Sequence, residues 1–159
     1  MSVEENIANI KFSVAISVYK NDNSAYFDRA LESIYTLQTI KPNEIVLVVD
    51  GPVGKDINEV IGKYKKICGN SLKVIRLKKN GGLGNALKLA VENCSNSIIA
   101  RMDSDDVARG NRFEEQLSYM RNHPRIDIVG GDISEFIDDE DNIVAYRTVP
   151  SSNKDIKKF

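Results

Sequence analysis

Residues 97–106 read Ser-Ile-Ile-Ala-Arg-Met-Asp-Ser-Asp-Asp. The apolar run from Ile98 to Met102 has the length and composition of a buried strand in a parallel sheet. This run ends in three carboxylates, Asp103, Asp105 and Asp106. Open α/β sheets bind ligands beyond the carboxyl ends of their strands, so we predict that these acids stand at the mouth of a binding site.

Three negative charges within four residues repel one another unless a positive group lies among them. Mg²⁺ and Mn²⁺ prefer oxygen ligands and often bridge carboxylates to phosphates, so the three acids are candidate ligands for such a cation. An alternative stays open, because Asp and Ser are favoured N-caps and a helix is predicted to begin near Arg109 to Asn111. On that interpretation the acids only cap a helix and solvate a loop.

The composition is that of an ordinary globular protein, with 159 residues, 42% of them hydrophobic and 28% charged. A chain of this length fits one domain, residues 1–159, that buries roughly 70% of its unfolded surface. The formal net charge of −1 argues against a nucleic-acid partner, because proteins that bind nucleic acid are usually basic.

The sequence also bounds the cellular compartment. Cys68 and Cys94 lie on apolar stripes near predicted helix ends, so we expect buried free thiols rather than a disulfide framework. The first ten residues carry no signal-peptide pattern, and no apolar window approaches the ~18 residues that a transmembrane segment needs. We therefore predict a cytoplasmic protein without a transmembrane segment.

The hydrophobic pattern predicts four βα units in succession. Strands are predicted over residues 12–18, 44–49, 72–77 and 98–102. Helices are predicted over residues 25–38, 55–68, 83–93 and 111–122. A bent strand over residues 126–137, a hairpin turn, a returning strand over 143–149 and the start of a helix over 151–159 complete the prediction. Four βα units specify an α/β fold, a three-layer α/β/α sandwich around a mostly parallel sheet.

Four polar loops are expected at one edge of that sheet, over residues 18–24, 50–54, 80–82 and 103–106. Asp50-Gly51-Pro52 is either a simple turn or a carboxylate that accepts hydrogen bonds from a nucleobase or ribose. Asn80-Gly81-Gly82 either lets the backbone turn tightly or faces a phosphate at a helix N-terminus. This turn fits neither the dinucleotide fingerprint nor the P-loop.

An Asp at the end of the second strand, Asn-Gly-Gly after the third and Asp-x-Asp-Asp after the fourth occur together in this chain. The combination resembles the inverting glycosyltransferases of family 2, which have the GT-A fold. It looks like the branch that builds bacterial surface polysaccharides, and it extends from Phe12 to about Val149. The matching residues are 17–19, 30–34, 41–52, Asn80, 82–83, 86–87, 100–106, 112–113, Gln116 and 128–130. Lys88 and Ala90 depart from the usual Asn and Gly.

The resemblance implies roles for individual residues. The implied nucleotide-sugar-binding residues are Ser17, Tyr19, Asp50, Asn80, Gly82, Arg101 and Asp103. Tyr19 would line the nucleotide pocket, and Asp50 would bind the base. Asp103 would contact the ribose or the donor sugar. Asp105, together with Asp103, would hold Mn²⁺ or Mg²⁺ on the diphosphate. Asp106 would either support these ligands from behind or lie on the acceptor side.

The resemblance further implies metal-dependent, inverting transfer of a sugar from a nucleotide-diphospho-sugar, a UDP-sugar above all, to a glycan or lipid-linked acceptor. The enzyme would work in the cytoplasm, at the inner face of the membrane when the acceptor is lipid-linked. The catalytic base is expected beyond Phe159, since none of Asp132, Glu135, Asp138 and Asp139 matches the family's Glu-Asp motif. We therefore expect a truncated chain that binds donor without efficient transfer. Its exposed apolar surface would favour a homodimer.

Three alternatives are weighed against this assignment. A sugar-1-phosphate nucleotidyltransferase needs a Gly-rich basic loop after the first strand, where this chain has Tyr-Lys-Asn-Asp-Asn over residues 19–23. A non-catalytic metal-binding module such as a receiver domain needs an Asp at the end of the third strand, where this chain has Leu77-Lys78-Lys79. A plain α/β scaffold with solvated loops would bind neither nucleotide nor metal.

Overall fold

A computed structural model describes residues 7, 9–138, 140–150 and 152–156. The chain divides into two compact units, unit 1 (Met1–Leu117) and unit 2 (Ser118–Phe159). The assignment of residues 1–159 to one domain stays a prediction. Within the described residues, every helix is too short or too polar to span a membrane.

Unit 1 alternates strands and helices in the predicted order. Its strands are β1 (Phe12–Val18), β2 (Glu44–Val49), β3 (Leu72–Arg76) and β4 (Ile98–Met102). Its helices are α1 (Ser24–Leu31), which continues as a π-helical turn (Glu32–Thr36), α2 (Lys55–Cys68), followed by a 3-10 turn (Gly69–Ser71), and α3 (Leu83–Glu92). Helix α4 (Arg112–Asn122) begins in this unit. The four predicted βα units are thereby confirmed.

The four strands form one parallel sheet in the order β3-β2-β1-β4. Val18 of β1 lies beside Val49 of β2, and Val49 lies beside Arg76 of β3. On the other side of β1, Ile16 lies beside Met102 of β4. This register brings the carboxyl ends of all four strands to one edge of the sheet.

Helices cover both faces of the sheet. On one face, β1 and β2 side chains such as Ile16 and Leu47 pack in a large core with residues of α1, α2 and α4. On the other face, Val46 and Val48 pack with Ala86 and Ala90 of α3. The three-layer α/β/α prediction is confirmed.

β4 corrects one expectation, because it is not the buried strand that its apolar run predicts. Residues 98–100 are half-buried, Arg101 is exposed, and only Met102 is buried. The reason is position, since β4 lies at the end of the sheet and pairs with β1 alone among the described residues. A strand with one neighbour keeps part of its surface in water.

Three large apolar residues of the predicted helices also lie outside the core. Leu37, Ile67 and Leu83 are all exposed. Leu37 follows the π-helical turn, whose wider spacing ends the 3.6-residue periodicity of the helix predicted over 25–38. Ile67 and Leu83 lie in the terminal turns of their helices.

The two cysteines differ in burial. Cys68 is buried, and its removal from water raises the pKa of the thiol to about 11. Cys94 is only partly buried, although burial raises its pKa as well. Both are free thiols, as predicted.

Unit 2 contains an antiparallel hairpin of β5 (Ile133–Phe136) and β6 (Ile143–Arg147) and a short helix, α5 (Asn153–Ile156). The predicted bent strand over residues 126–137 is therefore extended only in its last part, after the Gly130-Gly131 break. Asp138 has a φ of 62° in the hairpin turn. Asp139 and, within the helix start predicted over 151–159, residues 151 and 157–159 lie outside the described residues.

A hydrogen-bond network around the Glu44 carboxylate lies at the amino-terminal edge of the sheet in unit 1, opposite the edge formed by the carboxyl ends of the strands. Glu44 Oε2 accepts hydrogen bonds from the Ser13 hydroxyl (2.7 Å) and the Ser95 amide (2.7 Å), while Oε1 accepts from the Ser95 hydroxyl (2.9 Å). Burial alone would raise the pKa of Glu44, but these hydrogen bonds together with nearby Lys73 lower it below the usual glutamate range. The network joins β1 and β2 to the segment that precedes β4.

We expect Glu44→Gln to destabilise the protein in a pH-dependent way. Because the folded-state pKa of Glu44 lies below its unfolded value, ionised Glu44 stabilises the fold at neutral pH. That contribution is lost as the pH falls through the lowered pKa. Urea unfolding at a series of pH values should show a loss of about 1 kcal/mol at neutral pH that shrinks in acid. Glu59→Gln, on exposed α2 surface, is the matched control. A pH-independent difference would contradict the prediction.

Candidate functional site

The acid loop, residues 103–106, follows β4 at the carboxyl edge of the sheet. Since Met102 pairs with Ile16, the loop begins beside Ser17 near the end of β1. Helix α4 begins only at Arg112, several residues after Asp106. The acids therefore do not cap that helix, and the capping interpretation is wrong for α4.

Asp103 is held by an ion pair with Arg101 of β4. Arg101 Nη2 lies 2.5 Å from Asp103 Oδ1 and 2.6 Å from Oδ2. Asp105 is exposed. Of the two predicted metal ligands, Asp103 already forms an ion pair with the Arg101 guanidinium, and Asp105 is exposed to water.

The pKa of Asp106 reflects both partial burial and the neighbouring negative charges of the loop. Partial burial of its carboxyl group, followed by the charges of Asp103 and Asp105, raises the pKa of Asp106 above the usual range. A divalent cation would relieve this repulsion, and carboxylate oxygens are the ligands that Mg²⁺ and Mn²⁺ prefer. Among the described residues, no three acidic, cysteine or histidine side chains converge into a preformed metal site. The carboxylate oxygens of the acid loop fit a divalent cation chemically, but they would need further oxygen ligands to complete its coordination.

Arg112 attaches the start of α4 to the end of β4. Its Nη2 donates to the Arg101 carbonyl (3.0 Å), and its Nε donates to Gln116 Oε1 (3.3 Å). Burial lowers the pKa of Arg112, and the nearby charge of Asp106 opposes that shift. The guanidinium therefore adds positive charge beside the acid loop.

The loop after β1 reaches the acid loop. Asp22 Oδ2 accepts hydrogen bonds from the Tyr19 amide (3.0 Å) and from the Ser104 hydroxyl (2.8 Å). Tyr19 is 39% exposed, whereas Ser17 is buried inside β1. The structure thus brings Tyr19 and the acid loop together through Asp22 and Ser104, neither of which is a predicted site residue.

Asp50 follows β2, and its carboxylate lies at the N-terminus of α3. Its side chain is buried, and its two carboxylate oxygens accept hydrogen bonds from the amides of Gly81 (2.7 Å) and Gly82 (2.9 Å). Asn80 Nδ2 donates to the Asp50 carbonyl (3.3 Å). The amides that the sequence offers to a phosphate are therefore bonded to a carboxylate of the chain itself. The predicted contact of Asp50 with a base stays a prediction.

Gly51 permits this close approach of two loops. Its φ is +90°, and a Cβ atom added there would lie 2.7 Å from the Asn80 amide nitrogen. No other residue type fits both conditions without strain.

We expect Gly51→Ala to destabilise the protein by about 2 kcal/mol, because a Cβ in the left-handed region adds strain to the steric clash. Gly62→Ala is the control, since a Cβ at that helical position meets no atom within 4 Å. That control should be neutral or stabilising by roughly 0.5–1 kcal/mol. Thermal and denaturant unfolding of both variants measure the effect, and equal stabilities would contradict the role of Gly51.

Two buried polar residues hold the segment between the acid loop and α4. Gln38 Nε2 donates to the carbonyls of Ser33 (2.7 Å) and Arg109 (2.7 Å), and Ser33 Oγ accepts from the Ala108 amide (3.0 Å). Sequence reasoning missed both residues. Two polar residues in the largely apolar helix predicted over 25–38 indicate buried hydrogen bonds, but their spacing does not predict which loop they bind.

Two acids of unit 2, Asp132 and Glu135, have hydrogen-bond or ion-pair partners within that unit. Asp132 Oδ1 accepts a hydrogen bond from the Val149 amide (3.0 Å), and Glu135 pairs with Arg147 across the hairpin. Asp138 lies in the hairpin turn. A local hydrogen bond and a local ion pair thus account for the positions of Asp132 and Glu135.

Comparison with known proteins assigns the family. The family described as "Glycosyl transferase family 2" matches residues 13–158. The chain belongs to glycosyltransferase family 2. The resemblance inferred from the motifs is confirmed.

Two relatives show the kind of protein that this glycosyltransferase family 2 chain resembles. It is 39% identical over 148 residues to the amylovoran biosynthesis glycosyltransferase AmsE of Erwinia amylovora, covering 93% of this chain and 54% of the relative. It is 34% identical over 147 residues to an Escherichia coli enzyme named UDP-Gal:alpha-D-GlcNAc-diphosphoundecaprenol beta-1,3-galactosyltransferase, covering 92% and 52%. The chain spans about half the length of these curated relatives.

Solved structures agree with the fold. S. aureus TarS 1-349 in complex with UDP-GlcNAc is 26% identical, with a TM-score of 0.61 over 72% of this chain and 32% of TarS. The mannosyltransferase PcManGT from Pyrobaculum calidifontis, solved with GDP-Man and Mn²⁺, is 16% identical, with a TM-score of 0.58 over 80% and 36%. The second likeness concerns the fold alone. The GT-A prediction is confirmed.

Proposed function

We propose that this chain is the nucleotide-sugar-binding part of a glycosyltransferase that transfers a sugar from a UDP-sugar during surface polysaccharide synthesis. The observation that carries the proposal is the acid loop at the carboxyl edge of a family 2 fold, joined to the Tyr19 loop through Asp22 and Ser104. A crowded set of carboxylates at the mouth of a parallel sheet suits a metal-bound diphosphate.

The donor assignment rests on neighbours and on this chain's own loops. The galactosyltransferase relative is named for UDP-Gal, and TarS was solved with UDP-GlcNAc. In this chain, the residues assigned to the nucleotide-sugar are Ser17, Tyr19, Asp50, Asn80, Gly82, Arg101 and Asp103. Because Asp50 already accepts two amide hydrogen bonds, any base contact would use its remaining lone pairs.

Asp105 and Asp103 are the proposed ligands for Mn²⁺ or Mg²⁺. Asp105 is exposed, whereas Asp103 must share its carboxylate between the cation and Arg101. A divalent cation bound there supplies positive charge where the nucleoside diphosphate leaves. Arg101, next to the acids, would also face the diphosphate.

The acceptor is proposed to be a glycan or a lipid-linked sugar, with transfer by inversion at the inner face of the cytoplasmic membrane. Lipid linkage is supported by the diphosphoundecaprenol in the name of the Escherichia coli relative. In such a reaction the acceptor hydroxyl attacks the anomeric carbon, the bond to the diphosphate breaks, and a base takes the hydroxyl proton. No described acid matches the base motif, so donor binding is the activity to test first.

We expect UDP to bind this chain more tightly in the presence of Mn²⁺. Asp105→Ala should remove most of that gain, about tenfold or more, because one of two protein ligands is lost, and should leave metal-free binding unchanged. Isothermal titration calorimetry with UDP, with and without Mn²⁺, measures both affinities. Glu59→Ala, on α2, is the control and should match the wild type. Failure of the wild type to bind UDP would overturn the proposed function.

A further inference from the structure

We propose that Asp22 is a positioning residue that couples the loop after β1 to the acid loop through Ser104. The proposal rests on the proposed function, since it assigns the two loops to one donor site. It gives a role to Asp22 and to the middle residue of the Asp-Ser-Asp motif.

The contact is a single carboxylate oxygen shared by two donors. Asp22 Oδ2 lies 3.0 Å from the Tyr19 amide nitrogen and 2.8 Å from Ser104 Oγ. The Asp22 amide in turn donates to the Tyr19 carbonyl (3.1 Å), which closes the turn. One side chain therefore shapes the first loop and holds the second, 82 residues away in the sequence.

Ser104 is well placed to transmit this constraint. It lies between Asp103 and Asp105, so a fixed Ser104 side chain restricts the backbone that carries both carboxylates. The Arg101 ion pair with Asp103 provides a second point of attachment. A loop that is ordered before ligand arrives loses less conformational entropy on binding, and this raises affinity.

The role assigned to Asp22 is distinct from helix capping and from metal binding. The N-cap of α1 is Asn23, whose Oδ1 accepts from the amides of Ala25 and Tyr26, so substitutions of Asp22 leave that cap in place. If Asp22 were instead a further ligand of a cation, its negative charge would matter. If it acts as a hydrogen-bond acceptor, the carbonyl oxygen of an asparagine can replace it.

A double-mutant cycle tests the coupling. UDP affinity in Mn²⁺ is measured by calorimetry for the wild type, Ser104→Ala, Asp22→Ala and the double variant. We expect each single change to weaken binding about tenfold, as for a lost hydrogen bond to a charged group, and the double variant to bind no more weakly than Asp22→Ala alone. Asp22→Asn should keep affinity within about threefold of the wild type.

The matched control is Ser95→Ala. It also removes a serine hydroxyl bonded to a distant carboxylate, Glu44, but at the opposite edge of the sheet. It should leave UDP affinity unchanged. Additive losses in the cycle, or an Asp22→Asn variant as weak as Asp22→Ala, would overturn the proposal.

Amide hydrogen exchange separates this proposal from the proposed function. In the absence of ligand, Ser104→Ala should speed exchange at residues 19–22 severalfold, because the shared acceptor loses one of its two donors. Unchanged exchange there would overturn the coupling even if UDP binds. A wild type that binds no UDP but shows the exchange effect would overturn the proposed function and retain the coupled loops.

Discussion

The structure of unit 1 depends on the parallel register of its four strands. Parallel strands pair with their carboxyl ends at the same side, so the loops after β1, β2, β3 and β4 share one edge. Polar residues that are far apart in the chain thereby become neighbours. The candidate site is a consequence of this register, because each of its loops begins where a strand ends.

At that edge the chain uses its own carboxylates to join loops in pairs. Asp50 bonds the loop after β2 to the N-terminus of α3, where a negative charge is favoured by the helix dipole. Asp22 bonds the loop after β1 to the acid loop. The acid loop carries three carboxylates, and burial together with the charges of Asp103 and Asp105 raises the pKa of Asp106. Asp50 and Asp22 therefore join loops at this edge, whereas the Asp105 side chain is exposed to water.

Buried polar side chains near the site supply hydrogen bonds to the backbone of a neighbouring loop. Gln38 and Ser33 lie in the core side of unit 1, yet their hydrogen bonds end on backbone groups of residues 108 and 109. A loop cannot be held by apolar packing alone, since its backbone amides and carbonyls need partners. The hydrogen bonds of Gln38 and Ser33 thus fix the segment that links the acid loop to α4.

The sequence by itself determined the four βα units, the mostly parallel sheet and the family, because periodicity and loop motifs are local patterns that one chain displays directly. The sequence also located the acid loop and Asp50. The tertiary structure alone decided that β4 lies at an edge and that Asp22 and Ser104 meet. These outcomes depend on strand order and on contacts between distant residues, which local patterns do not encode. Asp50 is an example of both: the sequence predicts its place after the second strand, but only the fold brings its carboxylate to the amides of Gly81 and Gly82.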